Sequence, residues 1–141
     1  MNLDGKRIFI VEDNTQNRVI YQMILVRKGA QLEFDRWGRD TLQRIRSLGQ
    51  FDLIILDLML PGGDSGYDIC EKIRRDPNFG DMPLLAVSAA DPSVAIPKAK
   101  AKGFSGFIAK PINDEIFPAQ LARIIAGETV WYAGNDFEDV G

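Results

Sequence analysis

Leu53-Ile54-Ile55-Leu56-Asp57 is a run of four apolar residues closed by a carboxylate. A strand with one wet face alternates apolar and polar residues. A run without alternation suits a strand buried on both faces, as in a parallel sheet. Ile8–Val11, Leu84–Val87 and Phe107–Ala109 read the same way, and Leu32–Phe34 supplies a weaker fifth strand. The intervening segments carry helical spacing. Thr15–Lys28 places Ile20, Met23, Ile24 and Arg27 on one side together with Val19 and Val26, and Gly29 supplies its stop signal. Arg39–Leu48, Tyr67–Arg75 and Asp114–Ala126 repeat the pattern. Pro92–Lys102 opens with Asp91 as N-cap and Pro92 in the first turn, but Pro97 removes an interior hydrogen bond and predicts a short, kinked or mobile helix. Strand and helix alternating five times predict an α/β sheet of parallel strands joined by right-handed crossovers.

The chain has 141 residues, 45% of them apolar, enough for one sizeable core and too few for two ordinary domains. Its 17 basic and 20 acidic residues leave a net charge of −3, which gives no general electrostatic reason to bind nucleic acid. With Cys70 as the one cysteine, no intramolecular disulfide forms, and a reducing, cytoplasmic setting is expected; Cys70 itself reads as core. Met1 opens no secretory leader, and no apolar run is long enough to cross a bilayer, so no membrane association is expected. The absence of histidine excludes Ser-His-Asp and Cys-His nucleophiles, and any phosphohistidine must come from another protein. From Gly127 to Gly141 an acidic and aromatic stretch without clear period is expected to be an extended or disordered tail.

Ligands of an open parallel sheet sit at the carboxyl ends of its strands. Four strands end in polar residues here: Glu12-Asp13, Asp57, Ser88 and Lys110. Three carboxylates at close range repel one another unless a cation neutralises them. An all-oxygen set of this kind suits Mg²⁺, which is usually held by one or two carboxylates plus a phosphate. Lys110 adds a point charge and Ser88 a hydroxyl, both suited to phosphoryl oxygens. A carboxylate can be the nucleophile and form an aspartyl-phosphate. Each residue taken alone has a structural reading, as a cap, a turn residue or a solvated charge. Their joint occurrence at the strand ends gives the pattern its meaning.

The sequence resembles the receiver domains of two-component response regulators. The resemblance rests on Ile8-Phe-Ile-Val-Glu-Asp-Asn-Thr-Gln-Asn17, Leu53-Ile-Ile-Leu-Asp-Leu-Met-Leu-Pro61, Leu85-Ala-Val-Ser-Ala-Ala90 and Ala99-Lys-Ala-Lys-Gly-Phe-Ser-Gly-Phe-Ile-Ala-Lys-Pro111. It implies a doubly wound, flavodoxin-like five-stranded parallel sheet in the order 2-1-3-4-5 with five helices, and a receiver domain over residues 1–126. Residues 127–141 would then be a tail, with no output domain following. It implies phosphorylation at Asp57, with Mg²⁺ held by Glu12, Asp13, Asp57 and the backbone carbonyl of Met59. Ser88 and Lys110 become phosphate contacts, Ser88 and Phe107 switch residues, and the Lys110–Pro111 bond is expected to be cis. The implied donor is a histidine kinase or phosphotransfer protein, and a downstream protein would bind the face formed by the fourth helix, fifth strand and fifth helix. The chain would be a phosphoacceptor that assists its own phosphorylation and dephosphorylation, not a turnover enzyme.

Two departures stand out. Gly66 follows Pro61 by five residues where the family usually has four, so the loop beside the site is expected to be one residue longer. Pro97 falls in a helix that is normally free of proline. A phosphatase of the haloacid-dehalogenase type would want an Asp where Met59 stands, and a module that had abandoned phosphorylation would have lost one of the site residues. Met59 and Ala90 flank the expected phosphoryl group and offer no side chain to orient water, which predicts a long-lived phosphoryl group. The tail contains none of the site residues and is expected to be dispensable for phosphorylation, while its aromatic residues could dock on the domain or on a partner.

Overall fold

The computed structural model describes residues 3–60, 65–134 and, for the backbone alone, 137–139. Its strands are β1 Arg7–Val11, β2 Gln31–Asp35, β3 Leu53–Leu56, β4 Leu84–Ser88, β5 Gly106–Ala109, β6 Val130–Gly134 and β7 Phe137–Asp139. The helices are α1 Thr15–Val26, α2 Thr41–Leu48, α3 Gly66–Arg75, α4 Pro92–Lys102 and α5 Phe117–Ile125. The expected order 2-1-3-4-5 is present and runs on through two more strands, giving β2-β1-β3-β4-β5-β6-β7. All neighbours pair in parallel except β7, which runs antiparallel to β6.

Burial on both faces explains why the sequence runs do not alternate. Phe9, Val11, Ile54, Leu56, Leu84, Ala86, Phe107 and Ala109 point to one side, where Ile45 of α2, Ile69 and Ile73 of α3, and Ala95 and Ala99 of α4 cover them. Ile8, Ile10, Leu53, Ile55, Leu85, Val87 and Ile108 point to the other, under Tyr21 and Leu25 of α1 and Phe117, Leu121 and Ile124 of α5. Cys70 is wholly buried on the α3 side, as expected of a core thiol.

Three local expectations change. On α1 the core side is Tyr21 and Leu25, whereas Val19, Ile20, Met23 and Val26 are between 42% and 56% exposed. Apolar residues surround this helix, so spacing alone does not choose its inner face; the i, i+4 pair Tyr21 and Leu25 does, with the Tyr21 ring 6.0 Å from that of Phe117. Helix α4 keeps its full length despite Pro97, because Asp91 caps one end and Gly103, at φ 98°, the other. Its buried residues are only Ala95, Ile96 and Ala99.

The third change lies past α5, where a tail was expected. Val130-Trp131-Tyr132 leaves the left-handed turn at Gly127 (φ 101°) and pairs with Gly106-Phe107-Ile108, repeating the strand–helix–strand winding once more. All three side chains are buried. The pairing depends on a missing side chain, since a Cβ on Gly106 would stand 2.5 Å from the Val130 carbonyl oxygen.

Candidate functional site

Each strand of the central four delivers its last residues to one edge of the sheet. Glu12 follows β1, and its backbone N–H donates to the Asp35 carbonyl at the end of β2 (2.9 Å). Asp57 follows β3 in the same manner, its N–H donating to the Val11 carbonyl (3.3 Å). Lys110 follows β5, with its N–H on the Ser88 carbonyl (3.0 Å), so the backbones of β4 and β5 fix the positions of Ser88 and Lys110 together. The Lys110–Pro111 bond is cis, as expected.

The side chains converge. Carboxylate oxygens of Glu12, Asp13 and Asp57 lie within 4.8 Å of one another. The Lys110 ammonium donates to Glu12 Oε1 (2.7 Å) and to Asp57 Oδ2 (2.9 Å). Glu12 and Asp57 are 1% and 7% exposed, so both charges sit largely out of water. Burial pushes the Glu12 carboxyl up, while the Lys110 ammonium and the Asn14 N–H (3.2 Å) pull it back. Burial likewise works against the Lys110 charge, yet the two carboxylates outweigh it and hold the ammonium above its ordinary range.

Further contacts fix orientation. Asp57 Oδ1 accepts the Met59 N–H (3.0 Å), and the Met59 side chain is 62% exposed at the rim. The Ser88 hydroxyl oxygen accepts the Ala90 N–H (3.2 Å), and the residue is wholly buried. Beneath Asp57, Gly66 opens α3 so closely that a Cβ there would stand 2.4 Å from the Asp57 carbonyl oxygen. Ser65 caps that helix through a reciprocal box with Asp68. The longer loop expected after Pro61 falls on residues 61–64, outside the described residues. Phe107 is wholly buried and lies side by side with Trp131 in the register of β5 and β6.

Sequence reasoning missed one neighbour of the site. Tyr21 is buried against it, and burial, followed by the negative charges of Glu12 and Asp57, raises its hydroxyl well above the usual tyrosine range. Spacing did not single it out, because apolar residues lie on all sides of α1. Chemically, three carboxylates facing one ammonium leave an excess of negative charge in an all-oxygen pocket. Such a cluster could hold a hard divalent cation.

Residues 8–122 match the family model described as the response regulator receiver domain, and the chain belongs to that family. It is 26% identical over 118 residues to the transcriptional regulatory protein AfsQ1 of Streptomyces coelicolor, covering 84% of this chain and 50% of that protein. The chain thus spans about half the length of the curated relatives it matches. Among solved structures, the signal receiver domain of a signal transduction histidine kinase from Syntrophus aciditrophicus superposes with a TM-score of 0.77 at 25% identity, over 97% of this chain and 100% of that one. The receiver domain of the sensor histidine kinase PA1611 from Pseudomonas aeruginosa has a TM-score of 0.74 at 26% identity, over 87% and 99%, and contains a magnesium ion coordinated in its active site cleft. The chain is therefore a receiver domain of two-component signalling, a family of phosphoacceptor switches. Among the described residues no helix is long and apolar enough to cross a membrane.

Proposed function

We propose that Asp57 accepts a phosphoryl group from a phosphohistidine of a histidine kinase or phosphotransfer protein, and that the change alters which protein this chain binds. The supporting observation is the Asp57 carboxylate at the end of β3, gathered with Glu12 and Asp13 and held by Lys110. An Asp57 carboxylate oxygen forms the new O–P bond while the P–N bond of the donor breaks, its electron pair returning to the imidazole nitrogen. Met59 N–H and the Lys110 ammonium fix the carboxylate before attack, which lowers the entropic cost of a near in-line approach. Lys110 then shifts from Asp57 Oδ2 to a phosphoryl oxygen, and the Ser88 hydroxyl turns from the Ala90 N–H to donate to another.

Glu12, Asp13, Asp57 and the Met59 carbonyl would hold Mg²⁺, which when bound neutralises charge on the transferring group. The all-carboxylate donor set with its excess negative charge fits that ion. The receiver unit in this reading works in the cytoplasm and signals through α4, β5 and α5.

Acetyl phosphate with Mg²⁺ should add one phosphoryl group to the wild-type protein by intact-mass spectrometry, and chelation should prevent it. Equal incorporation into Asp57→Asn would sink the assignment.

A further inference from the structure

The edge of β5, between α4 and α5, is occupied by the chain itself. Val130, Trp131 and Tyr132 pair with Gly106, Phe107 and Ile108, and Gly106 is the residue that lets the Val130 carbonyl approach. We propose that β6 is a displaceable strap over this edge: phosphorylation of Asp57 weakens its docking and uncovers the β5 edge and the adjoining α4 and α5 surfaces for the downstream protein. The inference rests on the reading of Asp57 as phosphoacceptor.

A physical route joins the two places. Leu56, the residue before Asp57, begins a row of register partners that runs through Ala86 and Phe107 to Trp131, all on one face of the sheet and all buried. Three strand spacings, about 14 Å, separate the ends of that row. Close-packed side chains transmit a displacement instead of absorbing it. Helix α4 offers a parallel connection. At its start Ser88, Ala90 and Asp91 form the turn that a phosphoryl group on Asp57 would pull on, and near its end the Lys100 ammonium lies 5.2 Å from the centre of the Trp131 ring.

Helix α4 is suited to shifting, because its inner face is two alanines and one isoleucine, and Pro97 takes away an interior donor. When the Ser88 hydroxyl leaves the Ala90 N–H, the turn and the α4 N-terminus move toward Asp57. Lys100 then moves off the indole. The strap is weakly entered as well, the first bond from Val130 N–H to the Ser105 carbonyl being 3.4 Å long. Beyond the last helix, β6 is held to β5 through three residues and carries β7 on its other side, so the two strands can leave the β5 edge as one unit.

The test is amide exchange of the wild-type protein with and without beryllofluoride and Mg²⁺, with binding of the analogue followed independently by its fluorine resonance. Exchange across 130–134 should quicken roughly tenfold on binding, the size of a typical coupling between two sites. In Asp57→Asn it should not change. As a second readout, Trp37→Phe leaves Trp131 as the one tryptophan, and its quenching by acrylamide should rise on addition of the analogue. If the analogue binds, or Asp57 is phosphorylated, while 130–134 exchanges at an unchanged or slower rate, the strap is refuted and the phosphoacceptor reading stands. If Asp57 takes neither the analogue nor a phosphoryl group, both fall.

Discussion

Lys110 Nζ stands 2.9 Å from Asp57 Oδ2 and so ties the end of β5 to the end of β3, two strands that never pair because β4 lies between them. The same ammonium reaches Glu12 at the end of β1, so one cation closes the carboxyl edge of the sheet across its central four strands. Removing it leaves two buried carboxylates facing each other without compensation. Lys110→Met should lower stability in metal-free buffer by about 1–3 kcal/mol, and part of that should return on adding Mg²⁺. Urea unfolding with and without Mg²⁺ measures it. Retention of the phosphoryl group should fall too, which intact mass follows.

Gly66 carries a separate prediction, because its neighbour is backbone and cannot rotate away. A methyl group at 66 must push α3 from the Asp57 carbonyl. Gly66→Ala should therefore cost on the order of 1–3 kcal/mol and slow phosphorylation. Thermal unfolding and the rate of labelling by acetyl phosphate report the two effects.

Arg74 gives its guanidinium to three backbone carbonyls, those of Gly103 (2.9 Å), Gly80 (3.0 Å) and Met82 (2.7 Å). It thereby joins α3 to the turn after α4 and to the entry of β4. Arg74→Ala leaves those acceptors short of a donor and should destabilise by about 2 kcal/mol or more. Arg74→Lys should recover only part of the loss, since one ammonium cannot copy the planar fork. Urea midpoints of the two variants decide between these outcomes.

Lifetime of the phosphoryl group depends on the rim. Met59 is exposed and Ala90 half-buried, and neither side chain can hydrogen-bond a water in line with the O–P bond. Met59→Asn should speed phosphate loss several-fold, since one added hydrogen bond in the transition state is worth about 1 kcal/mol. Phosphate release from purified phosphoprotein at fixed Mg²⁺, compared among wild type, Met59→Asn and Ala90→Glu, is the measurement. Equal decay in all three would remove these side chains from control.

A chain ending at Ala126 loses β6 and uncovers the edge of β5. The buried Val130, Trp131 and Tyr132 side chains go with it, and the expected cost is on the order of 2–4 kcal/mol. No site residue lies beyond 126, so the fraction that stays folded should still take up a phosphoryl group. Urea unfolding and intact mass on the same preparation separate loss of fold from loss of chemistry.

The four central strands and their polar ends were legible because burial on both faces writes a plain signal into a sequence. Leu53–Leu56 can be little else, and a carboxylate at its end has one place to point. The inner face of α1 was not legible, because Val19, Ile20, Met23 and Val26 outnumber the Tyr21 and Leu25 that turn inward. Strand β6 was hidden for a different reason. Val130-Trp131-Tyr132 has the residue types of a strand, but it is short and followed by acidic residues, and its partner Gly106 lies 24 positions earlier, beyond any local window. Convergence of Lys110 on Glu12 and Asp57 followed from topology, whereas the close approaches at Gly66 and Gly106, where a Cβ would stand 2.4 and 2.5 Å from a carbonyl oxygen, are matters of packing that strand and helix periodicity do not express.

Cys70, on the inner face of α3, has its thiol on the Lys102 carbonyl (3.4 Å), and burial pushes its pKa up to about 11. At neutral pH that sulfur is a protonated, shielded atom, so thiol reagents find the native surface blank. A cysteine introduced at Val94 on the outer side of α4, 66% exposed, would then be the single attachment point for a spin label or dye without any native residue being removed first. The movement of α4 can in this way be watched directly, by a probe whose position in the chain is unambiguous.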